Sequence, residues 1–420
     1  MTSCSHNLKL LIIMLKIKLH WQILIAFIIA ILWGLFLPQY SNYVRWLGDL
    51  FLRALKMIIV PLILTSIVSG VTNIGGTKSL GRLGLKTISY YLLTSTFAII
   101  TGLVLVDLIK PGIGADLGFK TDVPELTQVS GGLWDIVLRM IPQNIFEALG
   151  SADMLAIIFF SILFGFFITK VQTEYKDFMI NFFNSGFEIM MKMTSFIIMF
   201  APLGILGIVT GVVADQAADK SKLLNMFQHL GVYMLTVLGA LAFHFFITLP
   251  LIVKFIGKTN PLNHFKAMSL PLITAFSTSS SSATLPLTME AVEHEAGVSN
   301  KITSFVLPLG ATVNMDGTAL YECVAAMFIA QAYGIELGFV QQMVVVVTAL
   351  LASIGAAGIP MAGLVMMSVV LTAVGLPLEG VGLILAVDRI LDMCRTMVNV
   401  FSDTCGAVTI AKSEGETLKV

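Results

Sequence analysis

Forty-two consecutive residues, from Leu337 to Leu378, contain no charged side chain. A single α-helix of that length would measure about 63 Å, roughly twice the ~30 Å hydrocarbon core of a bilayer. The segment must therefore fold back on itself. Ser353 to Pro360 (SIGAAGIP) gathers small residues and a proline near its middle, which predicts a re-entrant helical hairpin over 336–376. Residues 258–294 repeat the device, with Ser279 to Pro286 (SSSSATLP) at the expected tip.

The chain as a whole has the composition of an integral membrane protein. Of its 420 residues, 57% are hydrophobic and 12% are charged, against about 25% charged in a soluble domain. Apolar stretches predict eight crossings, near 19–38, 47–71, 85–110, 130–171 (broken), 177–214, 225–255, 298–333 and 377–412. Basic residues before the first span and between the second and third predict a multi-pass protein with both termini in the cytoplasm.

Charge and cysteine content argue against several classes of partner. The 25 basic and 25 acidic residues balance, and no basic block is long enough to follow a phosphate backbone, so nucleic acid is not expected. The four cysteines lack the spacing of a zinc site or a disulfide framework. His244 lies in an apolar run and is interpreted as a core histidine of a helix.

Five polar side chains recur along the last predicted span: Asp388, Asp392, Arg395, Asn399 and Asp403. Their spacings of 4, 3, 4 and 4 residues place them on one helix face. Ionisable groups at membrane depth cost several kcal/mol each and usually face a ligand or an ion path. Asp388 and Asp403 stand about four turns apart, too far to share a proton, so an intramembrane aspartyl hydrolase is not expected. This face is where the functional site is expected.

A second polar motif, Asn314 to Thr318 (NMDGT), follows the first predicted hairpin. Asp316 and Gly317 are expected to interrupt an apolar helix and to free backbone carbonyls. Together with Asp403 and Asn399 the motif supplies oxygen ligands without a cluster of histidine or thiolate groups. This favours Na+ or H+ over a transition metal.

These motifs together resemble the dicarboxylate/amino acid:cation symporter family, the glutamate transporters. The resemblance runs from about Tyr90 to Lys412 and rests on four ordered motifs: Ser279 to Pro286, Asn314 to Thr318, Gly358 to Pro360, and Asp392 to Asn399 (DMCRTMVN). It implies an all-α polytopic membrane protein with eight transmembrane helices, two re-entrant hairpins and inverted repeats. It also implies a homotrimer in the lipid bilayer of a bacterial inner membrane or a plasma membrane.

The resemblance further divides the chain into two parts. A scaffold is implied from helices 1 and 2 (1–84) and from helices 4 and 5 (111–214). A transport domain is implied from helix 3 (85–110) and from 215–420, which contains helix 6, the first hairpin, helix 7, the second hairpin and helix 8. The transport domain is expected to move across the membrane like an elevator.

Substrate contacts are implied residue by residue. Arg395 is expected to clamp a side-chain carboxylate, Asp392 and Thr396 to receive an amino group, and Asn399 to bind the α-carboxylate. The other implied contacts are Ser280, Ser281, Thr318, Ala357, Gly358, Ile359 and Gly363. Dicarboxylate members of the family lack the acid at Asp392, and neutral amino acid members lack the arginine at Arg395. Having both residues points to L-aspartate or L-glutamate.

Up to three sodium sites and one proton site are also implied. The first sodium site uses Asp403 with backbone oxygens of Gly310, Asn314 and Asn399. The second uses Thr312, Ser353, Ile354, Ala356 and the Met315 sulfur, and the third uses Tyr91, Thr94, Ser95, Asn314 and Asp316. Glu322 stands where animal members carry a glutamate assigned to proton coupling. A carboxyl group in low dielectric holds its proton more tightly than one in water, so H+ is a candidate second coupling ion.

Two rival functions remain open at this stage. One is a proton-coupled carrier of C4-dicarboxylates, and the other is an anion-conducting channel, an activity that family members also show. The chain lacks an arginine at Ser279, where archaeal members have one, and at Met393, where animal members have one. Asp388 and Arg389 receive no role.

Overall fold

The computed structural model describes residues 19–74, 81–115, 138, 140–216, 220–354 and 362–420. These residues form α-helices joined by short turns. The helices are α1 (Leu19–Phe36), α2 (Asn42–Ile74), α3 (Gly81–Ile109), α4 (Ile145–Ser151), α5 (Met154–Ile168), α6 (Thr173–Ile198), α7 (Ala201–Gln216), α8 (Lys220–Phe243), α9 (Leu249–Phe255), α10 (Pro261–Ala267), α11 (Ser269–Thr278), α12 (Ser281–His294), α13 (Asn300–Val313), α14 (Asp316–Ala332), α15 (Phe339–Ile354), α16 (Ala362–Ala373) and α17 (Val381–Ser413).

Three helical segments within the described ranges are long and apolar enough to cross a membrane: Asn42–Thr72, Arg82–Ile109 and Ser221–Phe255. Thr173–Ile198 and Ala201–Asp215 make a fourth candidate span that bends by 51° at its break. Pro202 lies in the first turn after that break, where its missing N–H and its ring disfavour a continuous helix. Length and composition therefore support three or four crossings, and the predicted count of eight stays a prediction.

The helices pack in two groups. The first group comprises α1, α2, α4, α5, α6 and α7: α2 contacts α5, α6 and α7, α1 packs against α7, and α4 packs against α5. The second group comprises α3 and α8 to α17, with α17 packed against α8, α11, α13 and α14. Helix α17 also contacts α7, so the groups share an interface. The polar face of α17 lies inside the second group.

Helices α11 and α12 form the first predicted hairpin and contact each other. The chain reverses at Ser279, whose φ of 51° is left-handed and ends α11. Ser280 then caps α12, because its side chain accepts a hydrogen bond from the Ala283 N–H. The predicted tip, from Ser279 to Pro286, was too long: Pro286 lies inside α12. The Ser280 cap starts α12 before the proline, and Pro286, which has no N–H, leaves the Ser282 carbonyl without its usual i→i−4 donor.

Helices α15 and α16 contact each other and flank the second predicted tip. The tip residues 355–361 lie outside the described part of the chain. The predicted substrate contacts Ala357, Gly358 and Ile359, and the predicted sodium ligand Ala356, therefore have no structural description.

The helix break in the NMDGT motif falls earlier than predicted. Helix α13 ends at Val313, and Asn314 and Met315 leave the helical conformation with ψ angles of 87° and 62°. Asp316 and Gly317 do not interrupt the helix; they form the first turn of α14. An aspartate is favourable there because a helix N-terminus attracts negative charge.

The residues after α17 fold back as a strap that ties three segments together. Glu414 pairs with Arg82 and with Lys86, whose Nζ lies 2.5 Å from Glu414 Oε1. Glu416 accepts hydrogen bonds from Ser299, and the Lys419 N–H donates to the Ala296 carbonyl at 2.9 Å. The strap joins the start of α3, the connection after α12, and the end of α17.

Glu414→Gln is expected to lower the thermal unfolding midpoint in detergent at pH 7, by a few degrees at most, because the strap is exposed and its ion pairs are screened. Hydrogen bonds from Lys86 and Arg82 lower the pKa of the Glu414 carboxyl. A lowered folded-state pKa stabilises the protein above the unfolded pKa of about 4.3 and loses that effect as the pH falls through the folded value. The difference from wild type should therefore shrink in acid. Glu295→Gln, at an exposed glutamate on the connection after α12, is the control. A pH-independent difference would contradict the account.

Candidate functional site

All five polar residues predicted to share one face of α17 are buried. Asp388 is 0% exposed, Asp392 6% and Arg395 1%. Asn399 and Asp403 are 4% and 3% exposed. The spacing argument from the sequence is thus matched by burial, and the desolvation cost of these groups must be offset by contacts within the face.

Arg395 is held between two carboxylates and an aromatic ring. Its Nη2 donates to Asp392 Oδ1 at 2.9 Å and lies 3.1 Å from Asp388 Oδ1. The guanidinium carbon is 3.8 Å from the centre of the Tyr321 ring, a cation–π distance. Arg395 Nε and Nη1 are buried and have no hydrogen-bond partner among the described residues. Nη1 and Nε lie on different edges of the guanidinium, so each is a separate donor that is available to a ligand carboxylate.

Asp388 and Arg389, which had no predicted role, both contact the charged cluster around Arg395. Asp388 is the second buried counter-charge of Arg395. Arg389 is partly exposed, and its Nη1 lies 3.8 Å from Asp392 Oδ2. Asp388 therefore helps to compensate the charge of the Arg395 guanidinium. Asp392 lies between Arg395 and Arg389 and pairs with both.

Some predicted substrate contacts converge on Arg395 and Asn399, while others bond their own helix. Asn399 Nδ2 donates to Thr318 Oγ1 at 3.2 Å. A Cβ atom added at Gly363 would lie 2.7 Å from Arg395 Nη1, so the start of α16 lies directly against the guanidinium. Thr396 instead donates to the Asp392 carbonyl at 2.8 Å. Ser280 and Ser281 are buried at the α11–α12 turn, and Ser280 serves as the helix cap.

Asp316 is the centre of a dense polar cluster that includes most of the third predicted sodium site. Ser95 Oγ and Thr94 Oγ1 lie 2.6 and 3.3 Å from Asp316 Oδ1. Thr94 Oγ1 also lies 3.4 Å from Asn314 Oδ1. Tyr91 is buried nearby on α3, but its hydroxyl donates to the Val306 carbonyl at 2.7 Å. Carboxylate, amide and hydroxyl oxygens thus meet at one point, as a hard cation requires.

Asp403 forms a second cluster with two of its predicted partners. Asn314 Nδ2 donates to Asp403 Oδ1 at 2.9 Å, and a Cβ atom at Gly310 would collide with the same oxygen. Only glycine lets α13 approach the carboxylate this closely. Asn399 lies one turn earlier on α17, and its Oδ1 accepts from the Gly317 N–H at 2.7 Å. Asn314 therefore belongs to both carboxylate clusters.

The second predicted sodium site is the least assembled in the described residues. Thr312 is exposed and donates to the Leu309 carbonyl at 3.0 Å, within its own helix. Ser353 is buried and donates to the Leu350 carbonyl at 2.8 Å. Met315 is buried at the helix break, and Ile354 ends α15. Helices α13 and α15 contact each other, so Thr312 and Ser353 lie on neighbouring helices. Among the described residues, their hydroxyls do not converge on one cation position.

Glu322 is fully buried one turn after Thr318 on α14. Neither carboxyl oxygen has a hydrogen-bond partner among the described residues. An ionised carboxylate without hydrogen bonds is costly away from water, so this side chain suits a role in which it gains and loses a proton.

Sequence reasoning missed two contacts of Asp316. Ser402 Oγ donates to Asp316 Oδ2 at 2.6 Å, and His244 Nε2 lies 3.0 Å from the same oxygen. Ser402 follows Asn399 by three positions on the polar face, a spacing that could have indicated it. His244 was interpreted as a core histidine; it is buried as expected, yet it contacts the carboxylate. No local pattern marks it, because α8 and α14 are separated by more than 70 residues in sequence.

Comparison with known proteins places the chain in a family. The model of the sodium:dicarboxylate symporter family matches residues 19–413. The proton/sodium-glutamate symport protein of Geobacillus stearothermophilus is 36% identical over 413 residues, covering 96% of both chains. Human excitatory amino acid transporter 3 is 37% identical over 465 residues, covering 96% of this chain and 87% of its own. The proton/glutamate-aspartate symporter of Escherichia coli (strain K12) is 34% identical over 417 residues, covering 95% and 94%.

All of these relatives are named as transporters, and none as an enzyme. The matches extend over nearly the whole length of the chain, including both carboxylate clusters and the polar face of α17. This chain belongs to the sodium:dicarboxylate symporter family.

Proposed function

We propose that this protein is a secondary active symporter that moves an acidic amino acid, L-aspartate or L-glutamate, into the cell together with Na+. The observation that carries the proposal is the buried Arg395, which is compensated by Asp388 and Asp392 and has two donors without a partner among the described residues. The names of the relatives, which refer to glutamate, aspartate, sodium and protons, support the same substrate and ions.

Substrate recognition follows from charge matching. An acidic amino acid carries two carboxylates and one ammonium group. Arg395 Nη1 can donate to the side-chain carboxylate, and Nε offers a separate donor on the other edge of the guanidinium. Asp392 can accept the ammonium group, while Asp388 remains to balance the arginine. Asn399, next to Thr318, can donate to the α-carboxylate by exchanging its present partner.

Cation coupling follows from the position of Asn399 between the substrate residues and the ion clusters. Its Oδ1 holds the Gly317 N–H, and Gly317 adjoins Asp316. The Asp316 and Asp403 clusters share Asn314. A Na+ ion that binds at Asp316 or Asp403 would neutralise the charge of that carboxylate. It would also hold the non-helical residues between α13 and α14 in one conformation. That change would order Asn399 and Thr318 for the substrate, so ion and substrate binding reinforce each other.

The finer architecture belongs to the same proposal. Eight crossings and two re-entrant hairpins would bring the α11–α12 turn and the helices α15 and α16 to the buried site. The first helix group would be the scaffold of a homotrimer, and the second group would be the transport domain that moves as an elevator. The denser packing within each group than between the two groups supports this division.

The substrate class is tested by competition. Uptake of labelled L-aspartate into proteoliposomes should be blocked by unlabelled L-glutamate and spared by equal concentrations of succinate and L-alanine. Succinate should compete poorly because it has no ammonium group to pair with Asp392. Its two carboxylates and the Asp392 carboxylate would then be three negative charges close together. Stronger competition by succinate than by glutamate would instead favour a C4-dicarboxylate carrier.

Glu322→Gln is expected to remove most of the pH dependence of uptake, because glutamine keeps the size of the side chain but cannot exchange a proton. Initial rates of aspartate uptake should be measured from pH 5.5 to 8.5 at saturating Na+. Glu336→Gln, on the connection between α14 and α15, is the control and should keep the wild-type profile. An unchanged rate and pH profile in Glu322→Gln would rule out proton coupling at this residue.

A further inference from the structure

Helix α8 changes its winding at a residue that points into the ion cluster. Five residues, His244–Thr248, form a π-helical turn between α8 and α9. Such turns are rare and occur frequently at functional sites. His244 opens the turn and is 0% exposed, and its Nε2 lies 3.0 Å from Asp316 Oδ2. The widened turn thus coincides with the contact between His244 and the Asp316 carboxylate.

The two oxygens of Asp316 have different surroundings. Oδ1 faces Ser95 and Thr94 of α3, the hydroxyls of the third predicted sodium site. Oδ2 faces Ser402 of α17 and His244, which lie on the other side. One oxygen is therefore directed at the candidate cation ligands, and the other is held by two side chains from different helices.

The hydrogen-bond chemistry fixes the role of the imidazole. An ionised carboxylate only accepts hydrogen bonds, so the contact requires the proton on His244 Nε2. Nδ1 is buried and has no hydrogen-bond partner among the described residues, which is less costly for a bare acceptor than for an N–H donor. This tautomer makes His244 a fixed donor to Oδ2.

We propose that His244 is a positioning residue for cation coupling: with Ser402 it anchors Asp316 Oδ2 and thereby aims Oδ1 at a Na+ ion bound among Thr94, Ser95 and Asn314. The inference rests on the proposed sodium-coupled function. Carboxylates that bind metal ions are commonly oriented by such outer hydrogen bonds, and losing one typically weakens ion binding 10- to 100-fold.

The test compares four proteins in proteoliposomes: wild type, His244→Leu, His244→Gln and His229→Leu. Leucine fills the site without a donor, whereas the glutamine amide can still reach Oδ2. His229 is the matched control, because it lies on the same helix and its Nδ1 contacts the Pro111 carbonyl at 2.7 Å, outside the ion cluster. The initial rate of aspartate uptake is measured against Na+ concentration, and the aspartate KM is measured at saturating Na+.

His244→Leu should raise the Na+ concentration for half-maximal uptake by about 10- to 100-fold and leave the aspartate KM at saturating Na+ within about twofold. His244→Gln should restore most of the Na+ affinity, and His229→Leu should match wild type. If the leucine variant does not fold, His244→Asn, whose amide is too short to reach Oδ2, takes its place with the same expected shift.

An unchanged Na+ dependence in the leucine or asparagine variant would overturn the proposal. Failure of glutamine to restore Na+ affinity in a folded protein would also overturn it, because packing alone would then explain the residue. If wild-type uptake itself ignores Na+, the proposed function fails instead, so the two failures are distinguishable.

Discussion

Arg395→Cys is expected to lower uptake of L-aspartate and L-glutamate by about 100-fold or more and to permit uptake of neutral amino acids such as L-serine. Removing one partner of a buried ion pair costs about 3–5 kcal/mol, and each 1.4 kcal/mol is tenfold in affinity. Here the loss would leave Asp388 and Asp392 without their guanidinium, and the substrate carboxylate would meet two negative charges. Labelled aspartate and serine uptake should be measured in parallel.

Arg389→Cys is the matched control for that experiment. Arg389 is partly exposed and lies 3.8 Å from Asp392, so its loss should change acidic amino acid uptake far less. The account is contradicted if Arg395→Cys transports aspartate like wild type. Arg395 is the only buried cation among the described residues of the α17 face. The account is therefore also contradicted if the folded Arg395→Cys variant transports neither acidic nor neutral amino acids.

Asp316→Asn is expected to abolish Na+-dependent uptake at all practical Na+ concentrations. The substitution removes a full negative charge from the candidate cation position and forces an amide NH2 against donors such as Ser95 and Ser402, which now give hydrogen bonds to the carboxylate. Losing a charged ligand in a buried site costs several kcal/mol, or a factor of about 100 or more in ion affinity. Uptake should be measured against Na+ concentration up to saturation in wild type.

Asp215→Asn provides the comparison for Asp316→Asn. Asp215 pairs with Arg45 at a solvent-exposed position of the first helix group, where an ion pair contributes little. This variant should keep wild-type Na+ dependence. A wild-type Na+ half-saturation in Asp316→Asn would mean that coupling does not pass through the Asp316 cluster.

Most of what could be predicted about the fold came from the spacing of polar and apolar residues along the chain. The spacing of Asp388, Asp392 and Arg395 required one helix face, and a charged face in an apolar chain required burial, because water is absent at membrane depth. Helix boundaries were less predictable. Pro286 was placed at a tip and lies within α12, because Ser280 caps that helix earlier. The break assigned to Asp316 falls at Asn314 and Met315, because an aspartate is favourable in the first turn of α14.

The site was predictable where its residues lie close in sequence and not where helices meet. Asn314 and Asp316 stand in one motif, and their cluster with Ser95 followed from family resemblance. The contact of His244 with Asp316 depends on packing angles and rotamers. No spacing rule reports those, since a core histidine and a positioning histidine have the same local sequence.

The central claim is that an inward Na+ gradient drives accumulation of an acidic amino acid, and one measurement tests it most directly. Labelled L-aspartate uptake into proteoliposomes should be followed with Na+, H+ and K+ gradients imposed one at a time. The account predicts accumulation above the external concentration with an inward Na+ gradient and none with the other gradients when Na+ is absent. Equal accumulation from an H+ gradient without Na+, or mere equilibration under every gradient, would contradict it.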